Sequence, residues 1–127
     1  MSTSGMDTVY SAVDRQRPYR IFDGAVARAV HGERMTMAIV DLDPGVDVPV
    51  HQHENEQLGF VLEGSIVMTV AGEERELGKG ETYRIASNVP HKAVGGAGGA
   101  TVVDVFSPIR ADWEKLERLE PSAGRWP

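Results

Sequence analysis

There is no cysteine among the 127 residues. Disulfides, thiolate metal ligands and thiol nucleophiles are excluded, so any bound metal must be held by nitrogen and oxygen. Cations are in deficit. Thirteen Lys and Arg face nineteen Asp and Glu, a formal net charge of −6. A nucleic-acid partner needs a basic face to neutralise phosphates, and none is expected here. No apolar run reaches the length of a membrane span, so no membrane partner is expected. The opening residues, Met1-Ser-Thr-Ser-Gly5-Met-Asp7, lack the basic-then-apolar order of a secretion signal. A cytoplasmic protein is the expectation.

What is present is an ordinary globular composition, 41% hydrophobic and 25% charged. The length suits one domain with a real core and not two ordinary ones. Residues 1–8 are small and polar and read as a flexible N-terminal segment. Residues 9–110 read as one β domain. Strands are predicted at 25–30, 34–42, 48–53, 58–62, 65–70, 75–77, 82–85, 91–94 and 100–106. Turn signals stand at Gly32-Glu33, Asp43-Pro44-Gly45, Glu63-Gly64 and residues 71–74. Short strands at regular spacing predict an all-β sandwich or barrel. The glycine-rich run 95–99 reads as a flexible hairpin loop, or as a mobile lip beside a site. Residues 111–127 read as a C-terminal helix and tail. Trp113, Leu116 and Leu119 recur at helical spacing, predicting a helix over 111–119 that Pro121 stops.

Three of the four histidines fall in two short stretches. His51-Gln-His53 lies in an apolar-alternating run, which puts both imidazoles on one strand face. Gln57 returns to that face if the strand resumes after the polar bend at Glu54-Asn55. His91, after Pro90, offers a third imidazole. Glu56 and Gln57 compete for a fourth place. A carboxylate is the stronger ligand, but neighbours on a strand point to opposite faces. His31, before Gly32, reads as solvated surface. Imidazoles plus an oxygen donor suit one divalent transition metal ion, without choosing among Zn, Ni, Fe, Mn and Co.

On the last predicted strand, Asp104 shares a face with Val102 and Phe106. An acid inside an apolar barrel is costly unless it is paired or chemically active. The alternatives are an outward-facing acid or a partner for an arginine. Phe106 reads first as core. Arg110 reads first as a surface charge, and otherwise as a bidentate clamp for a carboxylate.

At these positions the chain resembles the cupin superfamily. The first motif of that family is a glycine, five residues, His-x-His, three or four residues, a ligand, six residues and a glycine. Gly45, His51, His53, Gln57 and Gly64 meet that spacing. The stretch from Leu77-Gly-Lys-Gly80 to Asn88-Val-Pro90-His91 matches the second motif, with Ala86 where proline is frequent. The resemblance implies a single-domain jelly roll with the metal inside, and its spacing to Gly64 selects Gln57 over Glu56. The string from His51 to Gly64, together with Asp104-x-Phe106-Ser-Pro-x-Arg110, is similar to the pectin-degradation cupins. Those proteins convert cyclic 4,5-unsaturated uronates into linear ketones. This resemblance implies a metal on His51, His53, Gln57 and His91, and catalysis by Asp104, Arg110 and Phe106. It also implies a small anionic sugar-acid substrate, and by analogy a homodimer. The departure is Glu54-Asn55 where Pro-His is more usual. A wholly neutral ligand set leaves the ion its full charge, which favours an anionic substrate. Two other functions fit the same ligands. One is an iron-dependent dioxygenase of a small organic acid or phenol. The other is a sugar- or small-acid-binding barrel without catalysis.

Overall fold

Two long strands organise the chain. The structure is a computed structural model and describes residues 9–127. The segment 1–8, expected to be flexible, lies outside the described residues. The strands are β1 (Tyr19–Phe22), β2 (Ala25–His31), β3 (Thr36–Leu42), β4 (Asp47–His51), β5 (Glu56–Val70), β6 (Glu73–Gly78), β7 (Thr82–Ile85) and β8 (His91–Ser107). All pairings are antiparallel. β5 and β8 pair along nearly their whole length, from Glu56↔Ser107 to Val70↔His91. Each then serves both halves of the barrel. The first part of β5 pairs with β7 and the rest with β6. The first part of β8 pairs with β4 and the rest with β3, which leads to β2 and β1. Strands that pass from one sheet to another through bulges or bends form the corners of such sandwiches. This meets the all-β sandwich or barrel predicted from the strand pattern, in the jelly-roll form that the family resemblance implies.

The corners explain where local turn signals mislead. Glu63-Gly64 does not end a strand. It forms an irregularity inside β5, with Gly64 at φ +79°. A Cβ at Gly64 would meet the Gly99 carbonyl oxygen. Residues 95–99 are likewise no loop, because they lie within β8. A Cβ at Gly96 would collide with Ser65, and one at Gly95 would lie 2.7 Å from the Asp43 carbonyl oxygen. The glycines are there because neighbouring backbone crosses too close for side chains, the usual meaning of glycine inside a strand.

The predicted helix over 111–119 is a 3-10 turn, Ala111–Lys115. The chain is extended again at Leu116 (φ −80°, ψ 155°). A nine-residue helix is marginal alone, and here a tertiary pairing takes its backbone groups. Arg20 N–H donates to the Glu117 carbonyl and Leu119 N–H to the Pro18 carbonyl. Tyr19 and Arg118 form a β-bridge. Trp113 still turns inward and is buried.

Along β8 the inner face carries Ala100, Val102, Asp104 and Phe106. Val40, Leu42, Val48, Val61, Ile66 and Met68 join them in the core. Each such side chain contributes about 1.5–3 kcal/mol by leaving water. On the outer face, cross-strand registers align Val30, Met37, Val105 and Leu58 in one row, with Ile39, Val103 and Phe60 in the next. Val30, Met37, Leu58 and Phe60 of these are exposed. Also outside the barrel core, buried Arg28 donates to Asp41 at 2.8 Å and to the Ser122 carbonyl at 2.9 Å. Thr101 Oγ1 and the Arg125 N–H complete the shell of Asp41. The C-terminal tail is thereby held against β2 and β3.

Candidate metal centre

His51 ends β4 and His91 opens β8, and the two are directly paired across the strands. Their ring centroids are 4.2 Å apart. His53 is not on a strand, contrary to the strand expected over 48–53. It stands in the bend between β4 and β5, and its backbone carbonyl accepts from Asn88 N–H at 2.8 Å. The three imidazoles nevertheless converge, with one ring nitrogen of each within 4.8 Å of the others.

Their tautomers follow from their partners. The Nδ1 atoms of His51, His53 and His91 lie 2.9, 2.9 and 2.8 Å from the carbonyl oxygens of Pro49, Asn55 and Val89. A carbonyl only accepts, so each Nδ1 carries the proton and each Nε2 keeps its lone pair. Burial holds the His91 imidazole down at about 4. Burial, then the Arg110 charge, lowers His53. These two rings are therefore neutral near pH 7, the form that ligates. His91 Nε2 is buried without a hydrogen-bond partner among the described residues.

Gln57 is buried on the inner face of β5, whereas Glu56 is exposed. Its Nε2 donates to Asp104 Oδ1 at 3.0 Å, and its Oε1 lies 3.1 Å from His53 Nε2. Two lone pairs therefore face each other beside an unpartnered imidazole nitrogen. That arrangement fits a divalent cation, which would turn the opposed donors into ligands. Donors of this type suit a first-row transition ion.

Asp104 is buried, and its Oδ1 also accepts from the Tyr83 hydroxyl at 2.6 Å. Burial raises its carboxyl to about 6, against the opposing pull of Tyr83, Gln57 and Arg110. Burial, then Asp104, pushes the Tyr83 hydroxyl well above its usual range.

Arg110 is no solvated surface charge, since only 11% of its side chain is exposed. Its guanidinium lies 4.6 Å from the Phe106 ring centroid and 4.7 Å from that of Trp113. Nε and Nη2 clamp Asp112 at 3.1 and 3.0 Å. That contact holds the Asp112 carboxyl below its ordinary value. Phe106 sits edge-on to His53, with centroids 5.8 Å apart.

The imidazoles, Gln57, Asp104, Phe106 and Arg110 all line one cavity of about 240 Å³. Its other walls are mainly aliphatic, among them Val40, Val102 and Met68. His31, expected on the surface, is half-buried elsewhere, between the Tyr19 hydroxyl at 3.1 Å and Thr36 Oγ1 at 2.8 Å. Three residues of the site escape sequence reasoning. Asn55 is buried, and its side chain donates to the Pro108 and Ile109 carbonyls, tying the His53 bend to the segment before Arg110. Its departure from the Pro-His pattern was the available signal. Asp112 stands two residues after Arg110, a short spacing that hints at a local pair. Nothing local marks Tyr83.

A family model described as a cupin domain matches residues 38–106. The chain is 28% identical over 104 residues to a pectin degradation protein, KdgF, of Dickeya dadantii (strain 3937). That match covers 80% of this chain and 94% of the relative. Among solved structures, KdgF from Halomonas sp. is similar at 27% identity and a TM-score of 0.76, covering 83% of this chain and 97% of that one. An RmlC-like cupin from Shewanella frigidimarina is similar at 25% identity and a TM-score of 0.77, covering 84% and 96%.

Proposed function

The chain belongs to the cupin family, and from that premise we propose that it is a metal-dependent enzyme converting 4,5-unsaturated uronates into their linear keto forms. His51, His53, His91 and Gln57 would hold one divalent transition metal ion. The observation that carries this reading is a buried acid, Asp104, and a guanidinium, Arg110, on the walls of the same cavity as the three imidazoles. The similarity to two pectin-degradation cupins across most of their length supports it.

The conversion is an isomerisation and needs no co-reactant. The anomeric hydroxyl loses its proton as the bond between the anomeric carbon and the ring oxygen breaks, and the ring oxygen takes one up, leaving an aldehyde and an enol. The enol then gives up its hydroxyl proton as its neighbouring carbon gains one, and becomes a ketone. Bound metal supplies Lewis-acid polarisation of substrate oxygens. The protein's own residues do the rest. Arg110 holds the uronate carboxylate, with Nη1 free for it among the described residues while Asp112 keeps the other edge. Asp104 accepts and returns the proton through Oδ2, because Oδ1 is occupied by Gln57 and Tyr83. Phe106 shapes the wall beside His53 and keeps Arg110 in place by stacking.

The test is the ultraviolet absorbance of a freshly lyase-made unsaturated uronate, which is lost as the conjugated double bond disappears. Native protein should accelerate the decay and metal-stripped protein should not. No acceleration by protein with bound metal would sink the substrate assignment.

The same reading takes the protein as a homodimer. Its support is the outer sheet face of Val30, Met37, Leu58 and Phe60, which are exposed, with no charged residue standing between Val30 and Leu58 in their row. A second copy offers the same apolar face, and burying it removes that patch from water. A monomeric mass by light scattering, unchanged on Phe60→Glu, would exclude it.

A further inference from the structure

Tyr83 and Asp104 meet across a strand that has no side chain between them. Gly59 of β5 is paired with Tyr83 of β7 on one side and with Asp104 of β8 on the other. Neighbouring strands are about 4.8 Å apart, so residues two strands apart stand about 9.6 Å from each other. Their side chains touch only by leaning over the middle strand. A Cβ at Gly59 would fall on Asp104 Oδ1 and on the Tyr83 ring. Because Gly59 has none, the Tyr83 hydroxyl reaches Asp104 Oδ1 at 2.6 Å. The same Oδ1 accepts from Gln57 Nε2 at 3.0 Å. Oδ1 thus takes two donors, and the Gln57 amide can present only its NH₂ group to it. Reversing the amide would set two oxygens against each other at hydrogen-bond distance and turn the NH₂ towards the imidazoles.

We propose that Tyr83, Gly59 and Asp104 form a positioning chain that fixes the Gln57 amide with its oxygen, and not its nitrogen, towards His51, His53 and His91. This rests on the reading of Gln57 as the fourth ligand. An amide nitrogen has no lone pair free for a metal, so the chain decides whether the site has four donors or three. Asp104 then has two separate duties. Oδ1 orients a ligand, and Oδ2 faces the chemistry. Partners that orient metal ligands are typically worth 10–100-fold in affinity.

The experiment measures affinity for Ni²⁺ by competition with a chromophoric chelator, with no sugar present. Circular dichroism and thermal melts of the metal-free proteins verify folding. Asp104→Asn should weaken Ni²⁺ binding about tenfold or more, because its amide no longer dictates how Gln57 faces. Tyr83→Phe removes one hydroxyl and should weaken binding several-fold. If Asp104→Asn does not fold, Tyr83→Phe carries the test. A carboxylate is the stronger ligand in either background, but Gln57→Glu should gain far less Ni²⁺ affinity on its own, where two carboxylates would meet, than in the Asp104→Asn background, where the new amide can donate its NH₂ to the new carboxylate. The intrinsic gain cancels between the two backgrounds, so the difference reads the coupling of residues 57 and 104 at the metal, which a loss of fold would not produce. Native affinity in both Asp104→Asn and Tyr83→Phe overturns the inference, as does an equal effect of Gln57→Glu in both backgrounds. A wild type that binds no Ni²⁺ overturns the metal centre itself, which separates the two failures.

Discussion

His53 Nε2 and Gln57 Oε1 lie 3.1 Å apart, and each turns a lone pair on the other. The geometry is held from behind, by the Asn55 carbonyl on one side and Asp104 on the other. Without a cation between them the pair is repulsive, so metal binding should stabilise the fold. An ion at a hundred times its dissociation constant contributes about 2.7 kcal/mol by mass action. For a chain of this length that raises Tm by about 10 °C. Scanning calorimetry with and without a chelator measures it. An unchanged Tm across Zn²⁺, Ni²⁺, Co²⁺, Mn²⁺ and Fe²⁺ would contradict the prediction.

Arg110 is held by stacking and by Asp112, and so it is preorganised for a carboxylate. Arg110→Ala should raise KM for an unsaturated uronate about tenfold or more, since hydrogen bonds between charged groups are worth about 1.5–3 kcal/mol. An uncharged analogue should feel little of this. Arg110→Lys should recover only part, because an ammonium cannot fork. Steady-state kinetics on both substrates decide the matter.

The pair Arg28–Asp41 tests stability away from the site. Both side chains are almost fully buried, 2% and 6% exposed. Asp41→Ala leaves a buried guanidinium without its acid and should cost about 3–5 kcal/mol. The Arg28→Met/Asp41→Leu double variant should be less damaged than that single change, although it still loses the anchors to Ser122 and Arg125. Urea denaturation gives both values.

His31 gives a pH dependence. Burial first, then the Arg118 charge, lowers its pKa below the usual 6.5. The folded state thus binds fewer protons than the unfolded state, and stability rises with pH in that window. The His31 contribution is fully present above about pH 6.5 and is lost as pH falls through the folded value. His53 and His91 act in the same direction. In His31→Gln the slope of unfolding free energy between pH 7 and 5 should be shallower than in wild type. Equal slopes would refute a titrating His31.

What could be read from the sequence is what depends on near neighbours. Residues 82–85 alternate cleanly and form β7 at those bounds. Asp43-Pro44-Gly45 turns, with Gly45 at φ +69°. The errors share one cause, contacts made by residues far apart in the chain. The run 95–99 looks like a loop because nothing local reveals Ser65 and Asp43 lying against it. Trp113 and Leu116 have helical spacing, but Glu117 and Leu119 find partners at Arg20 and Pro18, roughly a hundred residues away. The convergence of His51, His53 and His91 was legible as spacing. The role of Tyr83 was not, because it depends on a missing Cβ at Gly59 in another strand.

The sharing of β5 and β8 between both halves also sets an order on assembly. β3, β4 and most of β5 find their partner in β8, which leaves the ribosome after all of them. Until residues 91–107 emerge, the nascent chain carries the unsatisfied edges of those strands and no closed barrel. The apolar row on β3 and β5 is open to wrong partners for that interval. Truncation just before β8 should therefore give an aggregating chain and not a smaller folded one, and stalling synthesis at that point should recruit chaperones.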